Sequence, residues 1–136
     1  MQHNIAMEKD RGRIMRRILV VDDDAMNLRV AEFILSKAES YEILKASSGT
    51  ECLDILLKEE IDLVLLDVEM PELNGIKTLE KIRENAKTAS MPVMFLSADE
   101  TAATQETAKR LGALAFIRKP IMPQDLLDNV EKVFAE

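Results

Sequence analysis

The most informative segment of this chain lies at its centre, where four apolar residues lead into an acidic one: Leu63-Val64-Leu65-Leu66-Asp67-Val68-Glu69-Met70-Pro71. A short, unbroken apolar run of this kind is typical of a strand buried on both faces of a sheet. In such sheets, ligands bind at the carboxyl ends of the strands. The segment therefore predicts a buried strand that delivers Asp67 to a binding edge.

Four further short apolar runs accompany this one. Together they give five candidate strands: Ile18–Val21, Glu42–Ala46, Leu63–Leu66, Val93–Leu96 and Ala115–Ile117. Four of the five are nearly continuous, which predicts burial on both faces. The second run carries the charged residues Glu42 and Lys45, so we expect it to be an edge strand.

Helical spacing of apolar residues fills the intervals between these runs. Asp24 suits the cap of the first helix, Gly112 the end of the fourth and Pro123 the first turn of the last. The segment 100–111 is rich in alanine, so we expect a lightly anchored helix there. A solvated face is predicted on the third helix: Glu80, Lys81, Arg83 and Glu84. Alternating strands and helices predict an α/β fold, a doubly wound, flavodoxin-like (βα)5 domain with a five-stranded parallel sheet in the order 2-1-3-4-5.

Length, composition and charge limit the possible functions. The 136 residues, 47% of them hydrophobic, predict one folded domain over residues 15–135 after a flexible N-terminal extension at residues 1–14. No apolar run could cross a bilayer, no secretory signal is visible, and the single Cys52 fits a reducing cytoplasm. The net charge of −7, with a basic cluster only at residues 11–17, argues against direct nucleic-acid binding.

Residues that carry chemistry stand within two positions of the ends of four of the five predicted strands. The first strand leads into Asp22 and Asp23, the third into Asp67, the fourth into Ser97 and the fifth into Lys119. Two carboxylates about 5 Å apart repel by roughly 3 kcal/mol at an effective dielectric of about 20, so the cluster must take up protons or a cation. A set of oxygen ligands favours Mg²⁺, and a lysine and a hydroxyl suit phosphoryl oxygens.

The pattern thus indicates a phosphoryl-binding site with a carboxylate nucleophile. Asp22 and Asp23 are adjacent and therefore suited to sharing a metal ion. Asp67 stands alone at the end of its strand, free to attack phosphorus and form an aspartyl phosphate. We predict Asp67 as the nucleophile.

Four motifs, in this order and spacing, resemble the signature of a two-component response-regulator receiver domain (CheY-like) across residues 15–135. They are Ile18-Leu19-Val20-Val21-Asp22-Asp23, Leu65-Leu66-Asp67-Val68-Glu69-Met70-Pro71 with Gly75 downstream, Phe95-Leu96-Ser97-Ala98, and Lys119-Pro120. The resemblance implies that a histidine kinase or histidine phosphotransfer protein donates a phosphoryl group from its phosphohistidine to this chain. It also implies a phosphorylation-dependent switch that controls the binding of a downstream protein target.

The resemblance assigns roles to individual residues. It implies that Asp23 and Asp67 contact Mg²⁺ directly, that Asp22 contributes through water, and that the backbone carbonyl of Glu69 completes the metal site. Ser97 and Phe116 match the hydroxyl and aromatic switch positions. Lys119 matches the lysine that contacts the phosphoryl group, and its bond to Pro120 is often cis in this family.

The resemblance also implies a wider setting. The chain would be a signalling module that catalyses only its own phosphorylation and dephosphorylation, rather than an enzyme. Its target would bind the face formed by the fourth helix, the fifth strand and the fifth helix. A diffusible single-domain regulator in the cytoplasm is favoured, and a receiver excised from a larger protein is the alternative.

Acidic side chains occupy two positions that modulate phosphate lifetime across the family. Glu69 stands two residues after Asp67, and Asp99 stands two residues after Ser97. Acidic residues there could discourage anions near the site or could orient water. The sequence leaves both possibilities open.

Two other interpretations compete with this one. In a haloacid-dehalogenase-like phosphatase, Asp22 would be the nucleophile and Asp24 the general acid. Against it, Ala25-Met26 departs from that family's first motif, and Asp67 is left without a role. In the second, the domain is a degenerate scaffold, which retention of all five key residues argues against.

Overall fold

The computed structural model describes residues 15–99 and 101–135. In this part of the chain, strands and helices alternate strictly. Their bounds are β1 (Arg16–Val21), α1 (Ala25–Leu35), β2 (Tyr41–Ala46), α2 (Gly49–Lys58), β3 (Leu63–Asp67), α3 (Gly75–Glu84), β4 (Val93–Ser97), α4 (Ala102–Arg110), β5 (Ala115–Arg118) and α5 (Pro123–Phe134). The residues before Met15, where the flexible extension is predicted, lie outside the described part.

The strands form one parallel sheet in the order β2-β1-β3-β4-β5, which confirms the predicted α/β topology. β3 lies at the centre and pairs with β1 on one side and with β4 on the other. Because strand order reverses between β1 and β3, a crevice is expected where these two strands end. In register, Val21 pairs with Leu66, so the residues that follow them, Asp22 and Asp67, emerge side by side.

Alternate side chains of the sheet enter two hydrophobic cores, one on each face. Leu19, Leu66 and Phe95 point towards α2, α3 and α4. On the other face, Val20 and Leu65 point towards α1 and α5. Burying a large apolar side chain contributes about 1.5–3 kcal/mol, so the two layers hold the strand ends in fixed relative positions.

The predicted caps are present. The Asp24 side chain accepts a hydrogen bond from Met26 N–H at 2.8 Å and begins α1. Pro123 occupies the first turn of α5. Gly112 adopts a left-handed φ of 81° just after α4, a conformation that favours glycine. Only Ala108 of α4 is buried, which confirms that this helix is lightly anchored.

One local prediction is wrong, and one holds only in part. The apolar run of β5 predicts burial on both faces, but only Ile117 is buried because β5 is the second edge of the sheet. The solvated face predicted on α3 is present at Glu80, Lys81 and Glu84, which are exposed, but Arg83 is half-buried. Its guanidinium instead donates to the carbonyl oxygens of Leu111 at 2.8 Å and Met91 at 2.8 Å, and so ties the end of α3 to the segments flanking β4 and α4.

Cys52 is buried, and burial raises the pKa of its thiol to about 12. It therefore packs as a small apolar residue. Among the described residues, no helix has the length and apolar character needed to span a bilayer.

Candidate functional site

The carboxyl ends of β1 and β3 bring two buried carboxylates together. Asp67 is the last residue of β3 and Asp22 comes directly after the last residue of β1, and both are 1% exposed. The Asp22 N–H donates to the Ala46 carbonyl at 3.1 Å, which extends the pairing with β2 by one residue. Oδ1 of Asp22 accepts from the Asp24 N–H at 2.9 Å, so the turn into α1 fixes this carboxylate.

Asp23 completes an acidic cluster. One carboxylate oxygen each from Asp22, Asp23 and Asp67 lies within 4.8 Å of the other two. Asp23 is exposed, whereas the other two are buried, so the cluster opens towards solvent on one side. Such an all-oxygen set suits a hard divalent cation that retains several waters. The structure thus brings together the three carboxylates predicted from the sequence.

Lys119 reaches this cluster from the segment after β5. Its Nζ donates to Oδ2 of Asp22 at 2.9 Å and to Oδ1 of Asp67 at 2.9 Å. Burial favours the neutral amine, but the bonds to Asp22 and Asp67 outweigh burial and raise the pKa of Lys119. The ammonium ion is therefore charged and bridges the two buried carboxylates.

Asp67 is electrostatically unusual. Its pKa is raised to about 6, with burial as the largest cause. The contacts with Lys119 oppose the shift, and the charges of Asp22 and Glu69 add to it. A carboxylate in this position is destabilised in its ionised form, and a bound cation would relieve that cost.

Ser97 ends β4 and is fully buried. Its Oγ–H donates to Oε2 of Glu69, and its Oγ accepts from the Asp99 N–H at 2.8 Å. The Ala98 N–H lies 3.4 Å from Oε1 of the same glutamate. The Glu69 side chain therefore faces the end of β4, a contact that the sequence did not predict because it depends on how the segment after β3 turns towards β4.

Asp99 connects this strand end to α4. Its carboxylate accepts from Thr101 N–H at 2.8 Å and from Thr104 Oγ1–H at 2.9 Å. These hydrogen bonds lower the pKa of Asp99. Ser97 is thus one hydrogen bond away from the residue that holds the start of α4.

Phe116, the predicted aromatic switch residue, is half-buried on β5. Its ring packs edge-on against Phe95, with the two centroids 6.2 Å apart. Phe95 and Ser97 lie two residues apart on β4 and therefore share one face of the sheet. Phe116 thus lies in the same layer as Ser97, with the Phe95 ring as its aromatic contact.

Backbone geometry around the site depends on Gly75 and Pro120. A Cβ at position 75 would lie 2.3 Å from the Asp67 carbonyl oxygen, so only glycine lets α3 start this close to the end of β3. The Gly75 N–H donates to the Val68 carbonyl at 2.9 Å. The Lys119–Pro120 peptide bond is cis, as the resemblance implies.

Comparison with known proteins agrees with this fold and site. The family model for the response regulator receiver domain matches residues 18–131. A chemotaxis protein CheY homolog of Campylobacter jejuni is 32% identical over 118 residues, which cover 86% of this chain and 91% of that protein. Protein PilH of Pseudomonas aeruginosa is 31% identical over 121 residues, which cover 89% of this chain and 99% of PilH. Chemotaxis protein CheY4 of Vibrio cholerae has a similar structure, with a TM-score of 0.82 at 27% identity, covering 88% of this chain and 99% of CheY4.

The chain belongs to the response regulator receiver domain family, and its function is that of a phosphoacceptor signalling domain of the CheY-like type. The phosphatase alternative finds no support in these relatives. Its proposed general acid, Asp24, is the cap of α1, and both oxygens of its proposed nucleophile, Asp22, accept hydrogen bonds within the protein.

Proposed function

We propose that this chain accepts a phosphoryl group on Asp67 from the phosphohistidine of a histidine kinase or histidine phosphotransfer protein, with Mg²⁺ bound beside it. The arrangement at the end of β3 supports this most strongly. Asp67 is buried, lies 2.9 Å from the Lys119 ammonium, and has an oxygen within 4.8 Å of the oxygens of Asp22 and Asp23.

The donor chemistry fits Mg²⁺, because every candidate ligand is an oxygen. Three carboxylates and one ammonium leave a local charge of −2, which one divalent cation balances. Asp23 and Asp67 would hold the ion directly, Asp22 through water, and the Glu69 backbone carbonyl would complete the set. Bound there, Mg²⁺ would neutralise negative charge on phosphoryl oxygens.

In the transfer step, a carboxylate oxygen of Asp67 attacks phosphorus in line with the phosphorus–nitrogen bond of the donor. The new phosphorus–oxygen bond forms as the phosphorus–nitrogen bond breaks, and the leaving imidazole keeps the electron pair and takes up a proton. Lys119 donates to the oxygens of the transferring group, which offsets the field of an acidic protein. Asp67 therefore serves as the nucleophile and Lys119 as the electrostatic partner.

Signal transmission would begin at Ser97. When its hydroxyl bonds to the new phosphoryl group, it leaves its present partners, and Phe116 gains space to turn inwards. With one buried residue, α4 has few contacts that oppose such a movement. The face formed by α4, β5 and α5 would then bind the downstream target.

These roles belong to a signalling module of residues 15–135 that acts in the cytoplasm and catalyses only its own phosphorylation and dephosphorylation. A small-molecule phosphodonor tests the assignment without knowledge of the kinase. Incubation with acetyl phosphate and Mg²⁺ should add the mass of one phosphate to the wild type and none to Asp67→Asn. Asp54→Asn, which removes the same charge from the exposed surface of α2, is the matched control and should be labelled like the wild type. Undiminished labelling of Asp67→Asn would overturn the proposal.

A further inference from the structure

The Glu69 carboxylate occupies an unexpected place. It belongs to the segment after β3, yet its two oxygens face the end of β4: Oε2 accepts from Ser97 Oγ–H, and Oε1 lies 3.4 Å from Ala98 N–H. Asp67 and Leu96 are partners in the β3–β4 register, so these two donors emerge immediately beside the proposed phosphoacceptor. Glu69 therefore accepts hydrogen bonds from donors that line the approach to Asp67.

Those donors are the ones that a phosphoryl group on Asp67 would need. The hydroxyl at Ser97 and the N–H next to it are the neutral donors at this edge of β4, while Lys119 supplies the positive charge. A carboxylate presents two negatively charged acceptor oxygens, as does one side of a phosphoryl group. The Glu69 carboxylate thus accepts hydrogen bonds from these donors much as a phosphoryl group on Asp67 would.

We propose that the Glu69 side chain is an internal competitor of the phosphoryl group, holding the Ser97 hydroxyl and the Ala98 N–H until phosphorylation displaces it. This inference rests on the proposed function of Asp67. It concerns the carboxylate alone and leaves the backbone carbonyl of Glu69 in its metal role. The sequence left open whether an acidic residue at this position discourages anions or orients water. Under this proposal, Glu69 opposes phosphorylation.

The competitor can leave without disturbing the fold. Glu69 is exposed, whereas the preceding Val68 and the following Met70 are buried and anchor the segment. The negative charge of Glu69 acts on Asp67, so an incoming dianionic group meets the same repulsion until the side chain turns outwards. Displacement costs a charge-assisted hydrogen bond, which corresponds to a change on the order of tenfold in an equilibrium constant.

Displacement of the Glu69 side chain would also release the Ser97 hydroxyl, which connects the site to α4. Ser97 Oγ donates to Glu69 and accepts from Asp99 N–H, and Asp99 in turn holds Thr101 and Thr104 at the start of α4. While Glu69 keeps the hydroxyl in this orientation, the start of α4 keeps its hydrogen bonds. The Glu69 side chain therefore keeps the hydrogen-bond donors that a phosphoryl group would use in their unphosphorylated arrangement. It keeps the connection to α4 in that arrangement as well.

The test compares Glu69→Ala and Glu69→Gln with Glu72→Gln. Glu72 is exposed and lies in the same segment, so Glu72→Gln removes an equal charge without touching Ser97. Two quantities are measured with saturating Mg²⁺: the rate of phosphorylation by acetyl phosphate, and the affinity for beryllium fluoride, a non-covalent mimic of a phosphoryl group on a carboxylate. Glu69→Ala should gain on the order of tenfold in both. Glu69→Gln should gain less because its amide oxygen still accepts one bond, and Glu72→Gln should match the wild type.

Equal phosphorylation rates and beryllium fluoride affinities for Glu69→Ala and Glu72→Gln would overturn the proposal that Glu69 competes. Asp67 would still be the phosphoacceptor. A slower reaction in Glu69→Ala would also overturn it, because the side chain would then assist transfer. If the wild type takes no phosphate on Asp67, the proposed function fails and this inference fails with it. Should Glu69→Ala not fold, Glu69→Gln carries the same comparison with an isosteric side chain.

Discussion

The Nζ of Lys119 lies 2.9 Å from Oδ1 of Asp67 and 2.9 Å from Oδ2 of Asp22. One ammonium ion therefore joins the ends of β1, β3 and β5, and it partly compensates two carboxylates that are almost completely buried. The same contact places a positive charge where a phosphoryl group on Asp67 would need one. Under the proposed function, this one side chain would therefore serve both stability and phosphoryl binding.

Lys119→Ala should lower the free energy of unfolding by about 3 kcal/mol at pH 7.5 without metal, because it leaves two buried carboxylates without their cation. Mg²⁺ should restore part of this loss by supplying charge at the same place. The control is Lys45→Ala, which breaks an exposed 2.8 Å pair with Glu32 and should cost less than about 1 kcal/mol. Urea unfolding with and without Mg²⁺ measures both. Equal effects of the two substitutions would contradict the account.

Asp67 should make stability depend on pH in a definite direction. Its folded pKa of about 6 is above the ordinary value of 3.8, so the folded state binds the proton more tightly and its stability rises as pH falls through this window. In metal-free buffer, Asp67→Asn should therefore melt above the wild type at pH 7.5. The difference should shrink towards pH 4.5. A difference that stays constant across this range would show that ionised Asp67 carries no such cost.

Asp23→Asn should weaken Mg²⁺ binding by at least about tenfold, because it removes a charged oxygen ligand from the cluster. Without metal, the melting temperature should hold or rise, since the substitution relieves like-charge repulsion. Titration calorimetry with Mg²⁺ and thermal unfolding in chelator measure the two effects, with Asp54→Asn as the surface control. Unchanged Mg²⁺ affinity, or a substantial loss of melting temperature, would contradict the assignment.

Ser97→Ala should still accept phosphate on Asp67 but transmit it poorly to α4, because the variant lacks the hydroxyl that changes partners. Amide chemical shifts of residues 99–118 with and without phosphodonor measure the response. Ser36→Ala, which removes an exposed hydroxyl bonded to the Phe33 carbonyl, should respond like the wild type. Phosphorylation-induced shifts of full size in Ser97→Ala would rule out the proposed connection.

The topology could be predicted from the sequence because the buried runs, such as Leu63–Leu66, carry their burial in local composition. The site carboxylates could be placed for a related reason. Asp22 and Asp67 stand at the carboxyl ends of predicted strands, and neighbouring parallel strands end at one edge of the sheet. Residues at the ends of two adjacent strands are therefore close in space even when they are far apart in sequence.

Predictions failed where the outcome depends on the path of a segment rather than on local pattern. The exposure of β5 results from its position at the sheet edge, which short apolar runs do not encode. Arg83 stands in a charged stretch typical of a surface, yet its guanidinium donates to carbonyl oxygens 8 and 28 positions away. The contact between Glu69 and Ser97 likewise arises from how the segment after β3 turns towards β4.

Mapping the phosphorylated residue tests the central claim most directly. After reaction with acetyl phosphate and Mg²⁺, the product should be an acyl phosphate that hydroxylamine removes, and peptide mapping should place the modification on Asp67 alone. Modification of Asp22 would contradict the account and favour the phosphatase-like mechanism, in which Asp22 is the nucleophile. A folded protein that takes no phosphate in the presence of Mg²⁺ would contradict it as well and leave the domain as a scaffold.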